Sequence, residues 1–196
     1  MGAVVLFAAV SLDGFVGRDD DMPGPLFDWY GNGDVELTFS DPARPFRVTA
    51  PTAGLLREFA GRVGVMVCGR RLFDLTDGWG GVPPNGEHVV VVTHRPADDW
   101  PHRGTAPFTF APDVPAAVER ARDLAGDRDV TVSAGDVGGQ ALRAGLVDRV
   151  VLAQVPVVLG SGRPFFGVGG PPEIAFEDPR VVQGSRVTFL AYDVRR

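Results

Sequence analysis

Residues 130–166 (VTVSAGDVGGQALRAGLVDRVVLAQVPVVLGSGRPFF) constrain the fold more than any other stretch. They open on the β-branched run Val130-Thr131-Val132, which favours an extended backbone. Gly135-Asp136-Val137-Gly138-Gly139 then turns the chain, and Ala141, Leu142, Leu146 and Val147 follow at helical spacing. Residues 150–158 are almost uniformly apolar, the pattern of a strand buried on both faces. Strand, glycine turn and helix in that order aim backbone N–H groups and the positive end of a helix at an anion. The expectation is a unit that holds the phosphates of a nucleotide cofactor.

The rest of the chain supplies more units of the same kind. Val4–Val10, Val65-Met66-Val67-Cys68 and residues 89–93 read as strands. Pro51 follows Thr49 and Ala50 at a first helical position, with Leu55, Leu56 and Phe59 as the apolar face. Gly69-Arg70-Arg71-Leu72-Phe73-Asp74 starts a second helix directly after a strand. Pro112-Asp113-Val114 opens a third that runs to about Leu124, with Val114, Val118, Ala121 and Leu124 inward. Residues 26–30 (LFDWY) suit a helical turn, and residues 42–51 are proline-rich and irregular. Residues 174–182 and 186–194 are extended and joined at Gly184-Ser185, which predicts an antiparallel hairpin. The alternation predicts an α/β fold: a mostly parallel central sheet with an antiparallel C-terminal hairpin, in one domain over residues 1–196. An edge such as residues 186–194 invites pairing with a second copy.

Composition narrows the function classes. A net charge of −6 argues against a general nucleic-acid binder, which carries a basic face. No apolar run approaches the ~20 residues of a membrane span, and Met1-Gly2 leads into a strand without a basic start or cleavage site. The lone cysteine, Cys68, follows an apolar run and reads as core; a cytoplasmic protein is the expectation. His88, His94 and His102 lack partners at metal-ligand spacing, so no metal is expected. All 19 basic residues are arginine, and the absence of lysine excludes Schiff-base catalysis.

Three strand ends carry polar or glycine-rich turns: Cys68-Gly69-Arg70-Arg71, Thr93-His94-Arg95 and residues 133–139. In a parallel sheet these ends share one edge, where ligands bind. Two of the three carry arginine, which favours a phosphorylated ligand. The spacing of a Rossmann glycine fingerprint is absent. Asp13, in the glycine-flanked loop after the first strand, is either a carboxylate that orients a substrate or handles a proton, or a residue that stabilises a turn. Residues 19–21 (DDD) read as a solvated loop tip.

Ser11-Leu12-Asp13-Gly14, Gly69-Arg70-Arg71, Thr93-His94-Arg95 and, above all, AGLVDRVVLAQVPVVLGSGRPFF at residues 144–166 resemble the dihydrofolate-reductase-like superfamily. Within it, the chain is similar to the reductase domain at the C-terminus of the bifunctional riboflavin-biosynthesis deaminase-reductase, over nearly its whole length. The resemblance implies a dihydrofolate-reductase-like three-layer fold, a homodimer, and NADPH as hydride donor. It implies reduction of 5-amino-6-(5-phosphoribosylamino)uracil or a similar substrate. By that resemblance Gly69, Arg70 and Arg71 bind a cofactor phosphate and Thr93, His94 and Arg95 meet the adenosine 2′-phosphate. Gly135, Asp136, Val137, Gly138 and Gly139 lie under the pyrophosphate, and Asp13 stands near the nicotinamide and substrate.

The chain departs from the family in places. Leu72 stands where a threonine is common, Ala134-Gly135 replaces a glycine pair, and Asp136 puts a negative charge beside the pyrophosphate turn. Residues 26–34 (LFDWYGNGD) do not match and are expected to shape a different substrate pocket, with Phe27 and Trp29 stacking on its ring. One cysteine cannot supply the deaminase zinc signature. The reading is an NADPH-dependent reductase acting on a C=N carbon of a pyrimidine- or pteridine-like compound. Its alternatives are a non-catalytic dinucleotide- or flavin-binding protein, and a dihydrofolate reductase with Asp28 as the acidic residue.

Overall fold

The computed structural model describes residues 1–95 and 97–195. Among the described residues eight strands form one sheet: β1 (Val4–Val10), β4 (Val63–Gly69), β5 (His88–Val92), β6 (Phe108–Ala111), β7 (Asp129–Ser133), β8 (Arg149–Gln154), β9 (Arg180–Gln183) and β10 (Thr188–Asp193). Their order across the sheet is β6-β5-β4-β7-β1-β8-β10-β9. The first six in that order are parallel, and β10 and β9 add an antiparallel hairpin at one edge. Two three-residue strands, β2 (Val35–Leu37) and β3 (Phe46–Val48), pair antiparallel outside this sheet.

Alternating side chains of the central strands feed two cores. Val4, Leu6, Val65, Val67, Val130 and Val132 face α3 (Val114–Ala125) and α4 (Asp136–Arg143). On the other face Ala9, Ala153 and Phe189 pack under α1 (Ala50–Arg62) with Leu26, Trp29 and Val48. Met66, Cys68 and Val91 meet Phe73 of α2 (Arg70–Leu75) and Trp100. The expected three layers are therefore present. Full burial also pushes the Cys68 thiol up to about 12, as suits a core residue.

Helix starts follow local chemistry. Pro51 sits in the first turn of α1 after an extended Thr49, and the Asp113 carboxylate accepts the Ala116 N–H at 2.8 Å to cap α3. On α3, Val114, Val118 and Ala121 are buried as expected, while Leu124 is half-buried and Ala117 and Ala125 complete the inner face.

Several expectations need correction. The strand expected over residues 150–158 stops at Gln154, because Pro156 has no N–H for a ladder; Val158 ends 65% exposed. Only part of residues 174–182 joins the hairpin, with Pro179 separating β9 from an isolated Phe176–Val194 bridge. The expected open edge over residues 186–194 is instead an inner strand, since β9 covers it. Strand β6 and the β2–β3 pair were not expected. Pro96, read as the close of the residue 93–96 turn, lies outside the described residues.

Two glycines of the late turn are set by packing. A Cβ on Gly138 would sit 2.4 Å from Leu6 Cδ1, and one on Gly139 would sit 1.9 Å from the Phe166 carbonyl oxygen. Both let α4 lie close against its surroundings. Gly139→Ala is therefore expected to lower stability by about 1–3 kcal/mol. Gly54→Ala, on an open helical position of α1, raises it by about 0.5–1 kcal/mol. Urea unfolding of the two variants checks the contrast.

Candidate functional site

The connections of the sheet change direction between β4 and β7. From β4 it runs through α2 outward to β5, whereas from β7 it runs through α4 over β1 to β8. Neighbouring strands whose connections diverge leave a crevice at their carboxyl ends, the usual ligand position in such sheets. Gly69 and Val137 stand on its two sides: a Cβ on Gly69 would be 3.0 Å from Val137 Cγ2. Gly135, at φ +93°, has nothing within 4 Å of where a Cβ would project. A side chain there would fill the opening that the bare backbone leaves.

The basic residues cluster beyond Gly69. Arg70 Nε donates to Asp74 Oδ1 at 2.7 Å and Nη1 to the Arg95 carbonyl at 2.9 Å, tying the β4 and β5 ends together. Thr93 Oγ1 donates to the Arg95 carbonyl at 2.9 Å and accepts its N–H at 3.1 Å, which fixes the turn. His94 and Arg95 are exposed on that turn. The four strand ends thus follow one another along a single edge: residues 93–95 on β5, 69–71 on β4, 133–139 on β7 and 11–14 on β1.

The carboxylates at this edge find partners within the protein, and for Asp13 that is the turn-stabilising alternative of its two readings. Asp13 Oδ1 accepts from Ser11 Oγ at 2.5 Å and Leu159 N–H at 3.1 Å, and Oδ2 accepts from Gly160 N–H at 2.7 Å. The Ser11 hydroxyl is the largest influence and holds its pKa below the ordinary 3.8; desolvation, the next largest, opposes it, and the Gly160 and Leu159 amides add to the lowering. Asp136 Oδ1 accepts from Val168 N–H at 2.9 Å. Asp19 Oδ2 accepts from Ser161 Oγ. Asp21 is no solvated tip: its carboxylate is 13% exposed and bridges Arg71 and Arg163. Four aspartates, from the β1 exit and the α4 start, therefore pin the irregular segment 159–168.

That segment is also zipped to the β1 exit through its backbone. Leu12 donates to Val157, Val16 to Arg163, and Arg163 and Phe165 to Gly17 and Gly14, all at 2.8–2.9 Å. Gly135 N–H donates to the Phe165 carbonyl at 2.8 Å, which joins the glycine turn to the same assembly.

The aromatic residues divide. Trp29 is 2% exposed, its indole N–H donates to the Leu26 carbonyl at 3.0 Å, and it stands edge-on to Phe189. The expectation of a stacking Trp29 is corrected, because no ring face is left for a substrate. Phe27 is 41% exposed and lies 5.1 Å from Tyr30, and Asp28 beside it is exposed. A cavity of about 250 Å³ between α1 and the sheet lies toward the opposite edge, under Val5, Phe7, Phe59 and Val151. None of the candidate residues lines it. Among the described residues no cluster of His, Cys, Asp and Glu is arranged to hold a metal, and no helix is long and apolar enough to cross a membrane.

Sequence reasoning missed Arg163, Ser161, Asp19 and Asp21 as members of this assembly. Arg163 sits inside the most family-specific string, and the Asp run offered no pattern that separates a paired carboxylate from a solvated one.

The sheet order, the crevice and the three layers define a dihydrofolate-reductase-like fold. Residues 67–190 match the family described as the RibD C-terminal domain, and the chain belongs to that family. Among solved structures it is similar to a putative riboflavin biosynthesis protein from Shewanella sp. PV-4, with 19% identity, 99% of each chain covered and a TM-score of 0.66. It is similar to the riboflavin biosynthesis reductase Rib7 of Saccharomyces cerevisiae at 15% identity, covering 99% of this chain and 90% of that one, with a TM-score of 0.60. It also resembles RibD of Acinetobacter baumannii at 12% identity and a TM-score of 0.62, where all of this chain spans 58% of the other. Comparison with curated proteins gave no match.

Asp13 gives this assembly a direct test. A depressed carboxyl pKa contributes stability above the unfolded value, and that contribution is lost as pH falls through the folded value, here below 3.8. At neutral pH the clamp is complete. In Asp13→Asn the amide cannot accept from both backbone donors, so amide exchange at Leu159 and Gly160 should accelerate; unchanged exchange would remove the clamp.

Proposed function

We propose that this chain is an NADPH-dependent reductase that delivers hydride to a C=N carbon of a pyrimidine- or pteridine-like substrate. The observation that carries the reading is the order of the four strand ends. Exposed His94 and Arg95 come first, then Gly69 and Arg71, then the open Gly135 turn, then Asp13. Three inter-strand steps of ~4.8 Å span about 14 Å. That order suits an extended dinucleotide with its 2′-phosphate at the β5 end, its pyrophosphate at the glycine turn and its nicotinamide near β1.

NADPH, when bound, supplies the hydride; the protein's residues orient and shield. Arg95 and His94 would meet the 2′-phosphate, while Arg70 and Thr93 hold the turn that presents them. Gly135 and Val137 would cradle the pyrophosphate with backbone, and Gly138 and Gly139 keep α4 close enough for that. Asp13, ionised and already accepting three hydrogen bonds, would fix the loop beside the reacting carbon rather than give up a proton. Phe27, 41% exposed, would offer a ring face to a substrate.

The engaged Asp13 also favours a second reading, a dinucleotide- or flavin-binding protein without turnover. NADPH oxidation with pyrimidine and pteridine candidates separates the two, since binding without turnover of any of them supports the second. As to assembly, edge strand β9 leaves Val181 54% exposed, and we propose a homodimer formed along it. A monomer by light scattering would contradict that.

The cofactor reading is checked by titration. Arg95→Ala should weaken NADPH binding about tenfold and leave NADH binding nearly unchanged, as expected for one lost charge-assisted contact. Equal loss for both cofactors would place Arg95 away from the 2′-phosphate.

A further inference from the structure

One charged cluster at the crevice joins Arg71 to two residues, Asp21 and Arg163, that have no part in the reading above. Arg163 Nε donates to Asp21 Oδ1 at 2.9 Å, and Arg71 Nη2 donates to Asp21 Oδ2. The two guanidiniums come from separate segments, and each is well exposed, at 61% for Arg71 and 44% for Arg163. The carboxylate between them is 13% exposed. Two guanidiniums converging, through one nitrogen each, on the separate oxygens of one anion is an arrangement that also suits a phosphate.

We propose that Arg163 is a further ligand for a cofactor phosphate, and that Asp21 holds the place of that phosphate until the cofactor binds. The inference rests on the reductase reading, because it takes the incoming anion to be NADPH. Position supports it. Arg71 lies close enough to Asp136, the first residue of α4, to feel its charge, and Gly69 next door abuts Val137. Arg71, and Arg163 through the Asp21 they share, are thereby linked to the turn to which the pyrophosphate is assigned.

Charge supports it too. Arg71 and Arg163 balance Asp21 and Asp136, so a phosphate that arrived with Asp21 in place would meet a neutral site with a carboxylate in it. Exchange of one anion for another gives the phosphate both guanidiniums. The segment that carries Asp21 is a turn closed on itself. Arg18 N–H donates to the Met22 carbonyl at 2.9 Å and Asp21 N–H to the Arg18 carbonyl at 3.0 Å, closing a turn with Met22 57% exposed. Asp21 holds φ at +67°, a left-handed conformation that costs a non-glycine residue some strain. Cofactor occupancy and the position of residues 18–22 are thus coupled.

The test compares wild type, Asp21→Asn and Arg163→Gln by calorimetric titration with NADPH and with inorganic pyrophosphate. Asp21→Asn should bind both about three- to tenfold tighter than wild type, and Arg163→Gln about tenfold weaker. Wild type that binds NADPH while Asp21→Asn binds it equally or more weakly makes Asp21 a structural clamp and overturns the proposal alone. Wild type that binds neither probe overturns the reductase reading as well. Should Asp21→Asn not fold, wild-type protein still decides. Tryptic cleavage after Arg18, mapped by mass spectrometry, should accelerate with saturating pyrophosphate, and an unchanged rate overturns the proposal.

Discussion

The candidate site depends on how an irregular stretch, residues 157–168, is held against the ends of a parallel sheet. Such a stretch lacks a ladder of its own, so its backbone N–H groups need other acceptors. Asp13 takes those of Leu159 and Gly160, Asp136 takes that of Val168, and the carbonyls of Gly14 and Gly17 take two more. Without these contacts the crevice would lose its wall on the β1 side, and the glycine turn would lose the Phe165 carbonyl that anchors Gly135.

This constraint reassigns residues that look catalytic. An aspartate after the first strand of a reductase-like sheet invites a proton-transfer role, yet Asp13 is occupied by three donors. The glycine run after β7 invites a pure phosphate cradle, yet Gly138 and Gly139 are small because Leu6 and Phe166 leave no room. Only Gly135 carries the positive φ and open space of a binding turn. The same residues thus build the scaffold and the surface it presents.

Most of the fold was legible in the sequence because long apolar runs mark central strands in either kind of core. The β1, β4, β5, β7 and α3 positions follow from apolar patterning and from Pro and Gly at the boundaries. The two short strands β2 and β3 were not legible, since three residues carry too little periodicity, and β6 is four residues flanked by Pro107 and Pro112. The strand ends that form the site were readable as turns on a common edge. Which of their polar groups face a ligand was not, because Asp13, Asp19, Asp21 and Asp136 find partners up to 147 residues away in the chain. Trp29 illustrates the same limit, for a loop tryptophan looks alike in sequence whether its ring faces a cleft or Phe189.

Two concave regions compete for a ligand: the crevice at the carboxyl edge, and the cavity under α1 toward the amino edge. The central claim is that the carboxyl edge is where a nicotinamide cofactor lies. Hydrogen exchange mapped across the chain with and without NADPH tests it most directly. The account predicts protection concentrated in residues 69–71, 93–95 and 135–139, with the α1 cavity unchanged. Protection confined to residues 55–62 and 180–193, or none anywhere, would contradict it.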